Sequence, residues 1–397
     1  MVTILLGIGM FMFLVMIHEL GHFLAARKAN VKVEEFGIGI PPKVTKLRTD
    51  KKGTDYTINR IPLGWFVRLK GENPEDEEVF HARDSFITAS FWNKIMILIA
   101  GVAVNTLFAR LAFSFVFRQG VYPLTVVPDN AVRFQSNSYL MPTYTFLAEE
   151  GFLIGENKPV VVEAFLDDSL WASIGLQPDD QIVAVNDVPV TVENISLELQ
   201  KHINASAELS VIRAGESLTL TLPCEAEACF LGVRMQSSSY ELRPIQFPLG
   251  EALAKWFHEI VAETKITFLA LWGLGRSLFS FNRDRISSSV NKLSGPVGIV
   301  KFGEKVWNTG WALSYLAFAG VISLALAIFN VLPIPALDGG RILGVIIQKI
   351  GRLKAESYYS IENYFNIFFF LVLMWLWIYI IFKDLSRFRG VHIPFFS

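Results

Sequence analysis

The sequence predicts a multi-pass α-helical membrane protein: four transmembrane helices, a membrane-associated β-hairpin region, and a folded α+β domain outside the cytoplasm. Three observations carry this expectation. Of 397 residues, 52% are apolar and 33 are Phe, more hydrophobic surface than a soluble core could hide. Four runs almost free of charge are each long enough to cross ~30 Å of hydrocarbon at ~1.5 Å per residue. Between the second and third runs, residues 159 to about 235 alternate strand-like and helix-like patterns, while 119 to 158 show no equally clear one.

The first run, Val2 to Ile17, continues into His18-Glu19-Leu20-Gly21-His22 before Arg27 and Lys28. No basic residue precedes it and ionisable residues interrupt its far end, which argues against a signal peptide. The second run is Ile95 to Phe117, between Lys94 and Arg118; the third is Trp311 to Leu337; the fourth is Tyr364 to Phe382. Four spans place both termini on one side. The stretch Arg27 to Lys94 is rich in Lys and Arg, and Arg341, Lys349, Arg352 and Lys354 follow the third run. By the positive-inside rule both loops are cytoplasmic, and 119 to 310 is extracytoplasmic.

Two further segments look membrane-associated without spanning. Residues 31 to 70 carry short alternating pieces (Val31, Val33; Tyr56, Ile58; Trp65, Val67, Leu69) punctuated by Gly37, Gly39, Pro41-Pro42, Gly53 and Gly64, a hairpin pattern. Glu251 to Ser280 reads as an amphipathic helix, with Leu253, Trp256, Phe257, Ile260 and Val261 on one face, lying in the interface. Within the outer region, Pro159 to about 235 reads as strand, helix (Ser169 to Ser173), turn and strand (Gly175 to Val190), helix (Ile195 to Ile203) and two paired strands (Leu209 to Ile212, Leu218 to Leu222).

A net charge of −1 argues against nucleic acid as a partner. Two cysteines make neither a disulfide scaffold nor a thiolate metal site; whether Cys224 and Cys229 pair is left open. The chemistry lies elsewhere. His18 and His22 stand four apart on a helix and so share a face, where two imidazoles can hold one ion. Glu19 projects about a hundred degrees away, the place for a general base acting on a water activated by Zn2+. An ionisable trio inside an apolar span is costly unless it functions. A third ligand is needed, and Asp338, at the inner end of the third run, would reach the same depth as His18 and His22. Pro333 and Pro335 break that run and free backbone groups to face a cavity.

These blocks together resemble the site-2 protease family of intramembrane zinc metalloproteases. The matching segments are His18-Glu-Leu-Gly-His22, Asn330 to Gly340 with its Pro-x-Pro-x-Leu-Asp-Gly-Gly ending, and Ser294-Gly-Pro-Val-Gly-Ile299. The outer module resembles a PDZ domain, which with the four-span plan points to the RseP-like branch. Ala100-Gly101-Val102-Ala103-Val104-Asn105 resembles a further family block, with Val102 where proline is usual. The resemblance implies zinc on His18, His22 and Asp338 and Glu19 as base. It also implies a re-entrant hairpin at 31 to 70, with Gly37 and Gly39, that pairs with substrate, and Asn330 and Asn105 as substrate-binding residues. By the same likeness the partners are a single-pass membrane protein substrate of the anti-sigma-factor type and the lipid bilayer. The PDZ module would take a trimmed substrate terminus, and the location would be a bacterial inner membrane. The rival reading is a catalytically silent zinc-binding scaffold that recruits partners through the PDZ module; the retained Glu19 argues against it. Arg110 is expected to be a snorkelling or paired structural charge.

Overall fold

The computed structural model describes residues 2–72, 77–127, 137–154, 160–165, 175–191, 194–202, 205–224, 229, 231, 233–235, 241–278, 280 and 295–389. Ser294 and the helix expected at Ser169 to Ser173 lie outside them. The chain forms two compact units, Met1–Leu124 with Gln246–Ser397, and Thr125–Ile245.

In the first unit α1 is Val2–Lys28 and is followed by two long antiparallel strands, β1 (Val33–Thr49) and β2 (Asp55–Leu69). Both strands bend, so they form more than a simple hairpin. Residues 33–40 pair with 61–69, and 43–49 pair with 55–59. Residues 35–38 also take Asp55 to Ile58 as second partners. Among the described residues, the segments 43–49 and 64–69 therefore pair on one side only. Gly39 has φ +81° and its backbone lies against the Ile61 carbonyl, a close turn no residue with a Cβ could make. Arg27 closes the end of α1 onto the sheet: it pairs with Asp50 and lies 4.2 Å over the Phe23 ring.

The second apolar run forms α2 (Phe91–Gln119), capped where Ser90 Oγ accepts from the Asn93 N–H. Helices α1 and α2 cross where neither has a side chain. A Cβ on Gly21 would stand 2.5 Å from the Ala100 carbonyl oxygen. Small residues at such a crossing let two apolar helices gain dispersion contact backbone to backbone. Arg110 stands 4.6 Å over Trp256, so the structural charge inside the second run is met by an aromatic face. That ring belongs to a long helix, Leu249–Leu278, whose polarity is inverted relative to a soluble one. Leu253, Phe257 and Val261 are exposed, while Ala252, Glu259 and Glu263 are buried.

The third run departs from a single straight span. Its helix is Pro296–Val331, the N-terminal part coming from the Gly-Pro-Val-Gly-Ile segment. The Phe302 and Phe318 rings are 5.4 Å apart, and Trp307 and Tyr315 5.6 Å. Sixteen residues of straight helix would span ~24 Å, so the helix folds back on itself between these pairs, where Gly310 sits. Only Ala312–Val331 then has the length and composition to cross a membrane, alongside Leu5–Lys28, Phe91–Gln119 and Ile361–Asp384. After Val331 the chain leaves the helix through Leu332 to Leu337 and re-enters one at Asp338–Gly351. The sequence reading makes 341 to 363 a loop; the structure makes it this helix and the start of the last one, Ala355–Arg389. The reason is one-sided burial: Gly339, Gly344 and Val345 are covered, and Gly344 lets Tyr358 and Glu362 approach its backbone.

The second unit holds a six-stranded sheet. Its strands are β3 (Val160–Phe165), β4 (Gln181–Val185), β5 (Val188–Pro189), β6 (Ser206–Arg213), β7 (Glu216–Pro223) and β8 (Val233–Met235). The order is β7-β6-β4-β3-β8, with β5 on β4. Val160, Val162, Ile182, Leu209, Val211 and Leu222 form its core together with Ile195 and Leu199 of a short helix. Cys224 and Cys229 are joined as a disulfide in this core. Asp180 is fully buried, and both its oxygens accept from Arg213 at 2.7 Å.

Two outcomes are expected from this architecture. Gly21→Ala pushes α1 off α2 and lowers stability by about 1–3 kcal/mol, read as an earlier thermal unfolding midpoint in detergent. In the second unit, burial pushes the Asp180 carboxyl up, but the Arg213 guanidinium and the Gln177 N–H more than offset this and hold it below the usual range. A depressed folded pKa gives stability that is present above the unfolded value of about 4 and is lost as pH falls through the folded one. Arg213→Leu lowers stability at neutral pH, because it leaves the buried carboxylate without its guanidinium. It also weakens the slope, because burial is then opposed by the Gln177 N–H without the guanidinium. Unfolding midpoints between pH 2 and 7 for both proteins check the sign.

Candidate metal centre

Helix α1 sets His18 and His22 one turn apart on the face that meets α2, and both are buried. Asp338 arrives from far along the chain. Its placement depends on the turn that precedes it, where Ala336 adopts φ +75° and donates its N–H to Asn366 Oδ1 at 3.0 Å. Gly339 packs directly on the carbonyls of Val331 and Leu332, which folds the Pro-x-Pro turn tight enough to bring Asp338 back over α1.

The three side chains converge. Asp338 Oδ2 is 3.1 Å from His18 Nε2 and 3.2 Å from His22 Nε2, and the two Nε2 atoms are 3.2 Å apart. Donors at ~2.0–2.1 Å from one tetrahedral zinc ion stand about 3.3 Å from each other, so the trio already has the spacing and the donor chemistry of such a site. His22 Nδ1 lies 2.8 Å from the Ile97 carbonyl oxygen. That bond places the ring proton on Nδ1 and leaves Nε2 free to donate its lone pair. Helix α2 supplies the floor: a Cβ on Gly101 would lie 2.5 Å from His22 Nε2 and 2.8 Å from His18 Nε2. Any side chain there would occupy the space between the imidazoles.

A cavity of about 190 Å³ opens beside the trio, lined among others by Glu19, His22, Phe66, Val67, Glu72, Asp338 and Arg341. Glu19 faces it with one oxygen, Oε2, accepting from the Val67 N–H at 3.1 Å. Two residues on, the Leu69 N–H donates to Glu72 Oε2 at 3.1 Å, and Glu72 is paired with Arg341. The one-sided segment 64–69 is thereby moored to the helix that carries Asp338.

Of the residues singled out in the sequence, His18, Glu19, His22 and Asp338 come together. Asn105 is fully buried behind His18, Nδ2 3.5 Å from His18 Nδ1. Asn330 is half-buried at the end of its helix. Gly37 and Gly39 are buried inside the sheet, Gly37 against Phe66 and Asn59. Sequence reasoning missed Gly101, the Ile97 carbonyl, the Val67 N–H and the Glu72–Arg341 pair. Gly101 had a signal, a glycine in an apolar helix; backbone groups and an ion pair across 269 positions had none.

The model of peptidase family M50 matches residues 6–374. The chain is 28% identical to the regulator of sigma-E protease RseP of Escherichia coli K12 over 407 residues, covering 85% of this chain and 88% of that one. It is 29% identical to the zinc metalloprotease RasP of Oceanobacillus iheyensis over 438 residues, covering 98% and 99%. The family match spans the histidine pair and the turn that bears Asp338, and among the described residues four helices have the length and apolar character to cross a membrane. The chain therefore belongs to peptidase family M50, the site-2 proteases, and is an intramembrane zinc metalloprotease.

Proposed function

We propose that this enzyme hydrolyses a peptide bond in or beside the transmembrane segment of a single-pass membrane protein, with zinc on His18, His22 and Asp338 and with Glu19 as general base. The observation that carries the reading is the convergence of two Nε2 atoms and one carboxylate oxygen within 4.8 Å of one another, beside a cavity that Glu19 also faces. Zinc, when bound, supplies a Lewis acid that polarises the scissile carbonyl and brings the pKa of a water toward ~7. The protein's own groups do the rest. The Val67 N–H holds one oxygen of Glu19 and leaves the other to take the proton of the attacking water and pass it to the leaving amine. The His22–Ile97 bond keeps one imidazole oriented throughout.

A transmembrane helix hides its peptide bonds, and unwinding it in an apolar setting costs several kcal/mol for each unpaired group. The one-sided segment 64–69 offers a remedy, because an extended substrate added to it re-pairs those groups. Val67 N–H points to Glu19, away from β1, so by period two the backbone of Trp65 also faces the free side. Gly37 and Gly39 serve this edge by letting the sheet behind it pack closely, and Asn330 holds the substrate backbone. The second unit is read as an extracytoplasmic PDZ module that meets the trimmed end of the substrate, with the zinc near the cytoplasmic face. On the likeness to the E. coli regulator of sigma-E protease, the substrates are of the anti-sigma-factor type in a bacterial inner membrane.

Cleavage of a tagged single-pass substrate in vesicles, with metal analysis of the same samples, tests these roles. Glu19→Gln keeps its zinc and loses about 10²–10⁴-fold in rate; Asp338→Asn loses both zinc and rate, as does the wild type treated with a chelator. A Glu19→Gln protein that still cleaves at the wild-type rate removes Glu19 from the role of base. For the sheet edge, single prolines are placed along 64–69. At Trp65 activity falls while zinc content and unfolding midpoint hold; at Val67 it falls as well, but there the N–H lost is the one that holds Glu19. At Phe66 and Arg68, whose N–H groups bond within the sheet, the midpoint falls as well. Losses that follow the midpoint at every position leave strand addition without support.

A further inference from the structure

The two imidazoles of the metal centre are held differently from behind. His22 has the Ile97 carbonyl on its Nδ1, an acceptor that permits one tautomer only. His18 has the side-chain amide of Asn105, with Nδ2 at 3.5 Å from Nδ1. Asn105 is fully buried, and its Oδ1 has no hydrogen-bond partner. If His18 gives its Nε2 lone pair to an ion, its proton must sit on Nδ1, and that buried N–H needs an acceptor. An NH2 group facing it is the wrong partner, donor against donor. The same side chain leaves its one acceptor idle.

Turning the amide removes the clash of donors at His18. Rotating the amide half a turn exchanges Oδ1 and Nδ2, groups of nearly the same size and shape. Oδ1 then lies at the ring nitrogen and accepts from Nδ1–H. The Ser323 hydroxyl donates to the Asn105 backbone carbonyl at 3.0 Å, a contact of this turn of α2 with the neighbouring helix that does not involve the amide. We infer that Asn105 is a positioning residue of the metal centre. It is the acceptor that holds His18 in its Nδ1–H tautomer, the counterpart of the Ile97 carbonyl for His22. This assignment replaces a substrate-binding role for Asn105, and it rests on the reading of His18, His22 and Asp338 as the zinc site.

The test measures zinc affinity of the detergent-solubilised full chain by competition with a fluorescent chelator, alongside ¹⁵N shifts of labelled histidine in zinc-loaded protein. Asn105→Leu keeps the volume and removes the acceptor; it weakens zinc binding by about 10–100-fold and moves the His18 Nδ1–H signal to that of a donor without an acceptor. Asn105→Asp keeps an oxygen acceptor and restores both readouts. Ser323→Ala, which loosens the same helix contact without touching the acceptor, leaves zinc affinity at the wild-type value. Wild-type affinity in Asn105→Leu overturns the proposal, and so does equal weakening in Asn105→Leu, Asn105→Asp and Ser323→Ala, which marks a packing effect. Failure of the underlying site reading looks different: zinc affinity would then be unchanged in His18→Ala and Asp338→Asn.

Discussion

The site depends on two helices touching where neither has a side chain. Gly21 of α1 rests on the Ala100 carbonyl, and one residue on, Gly101 leaves open the space between His18 and His22. In an apolar surrounding there is no hydrophobic drive to press helices together, so close approach must come from shape. The same contact has a polar consequence. It brings the Ile97 carbonyl within 2.8 Å of His22 Nδ1 and buries the Asn105 amide behind His18. The Nε2 atoms of both imidazoles lie over Gly101 and within 3.2 Å of Asp338 Oδ2.

Two carboxylates that line the cavity are tied to backbone that could otherwise move. Glu19 bonds the Val67 amide, Glu72 bonds the Leu69 amide, and Arg341 joins Glu72 to the helix that starts at Asp338. A sheet edge with free N–H groups in an apolar environment is a liability. Here two of those donors are satisfied by carboxylates that belong to the site itself. The sheet edge, Glu19 and the turn that bears Asp338 are therefore one connected piece, and a displacement of any one is felt by the others.

Elsewhere the chain solves the same problem, polar groups in apolar surroundings, by different means. The helix Leu249–Leu278 turns Leu253, Phe257 and Val261 outward and buries Glu259 and Glu263, the reverse of a helix on a soluble protein and the arrangement suited to lipid outside. The second unit follows soluble rules instead: an apolar core, a disulfide, and a buried acid matched by a guanidinium with two bonds.

By itself the sequence determined what local pattern and composition can determine. Four apolar runs, the His18–His22 spacing, Glu19 between them, the proline-broken approach to Asp338, and the strand-like stretch at 31 to 70 all depend on neighbours a few positions away, and periodicity records such neighbours. Tertiary structure decided what depends on distant segments. It folded Pro296–Val331 back on itself, turned 341–351 from loop to helix, and gave β1 partners on both sides of 35–38. It also set Asn105 behind a ligand. The reason is physical: whether a glycine is a crossing point, or an amide serves a histidine or a substrate, is settled by which surface packs against it. No short window of sequence carries that surface, so the ligands were legible and the groups that aim them were not.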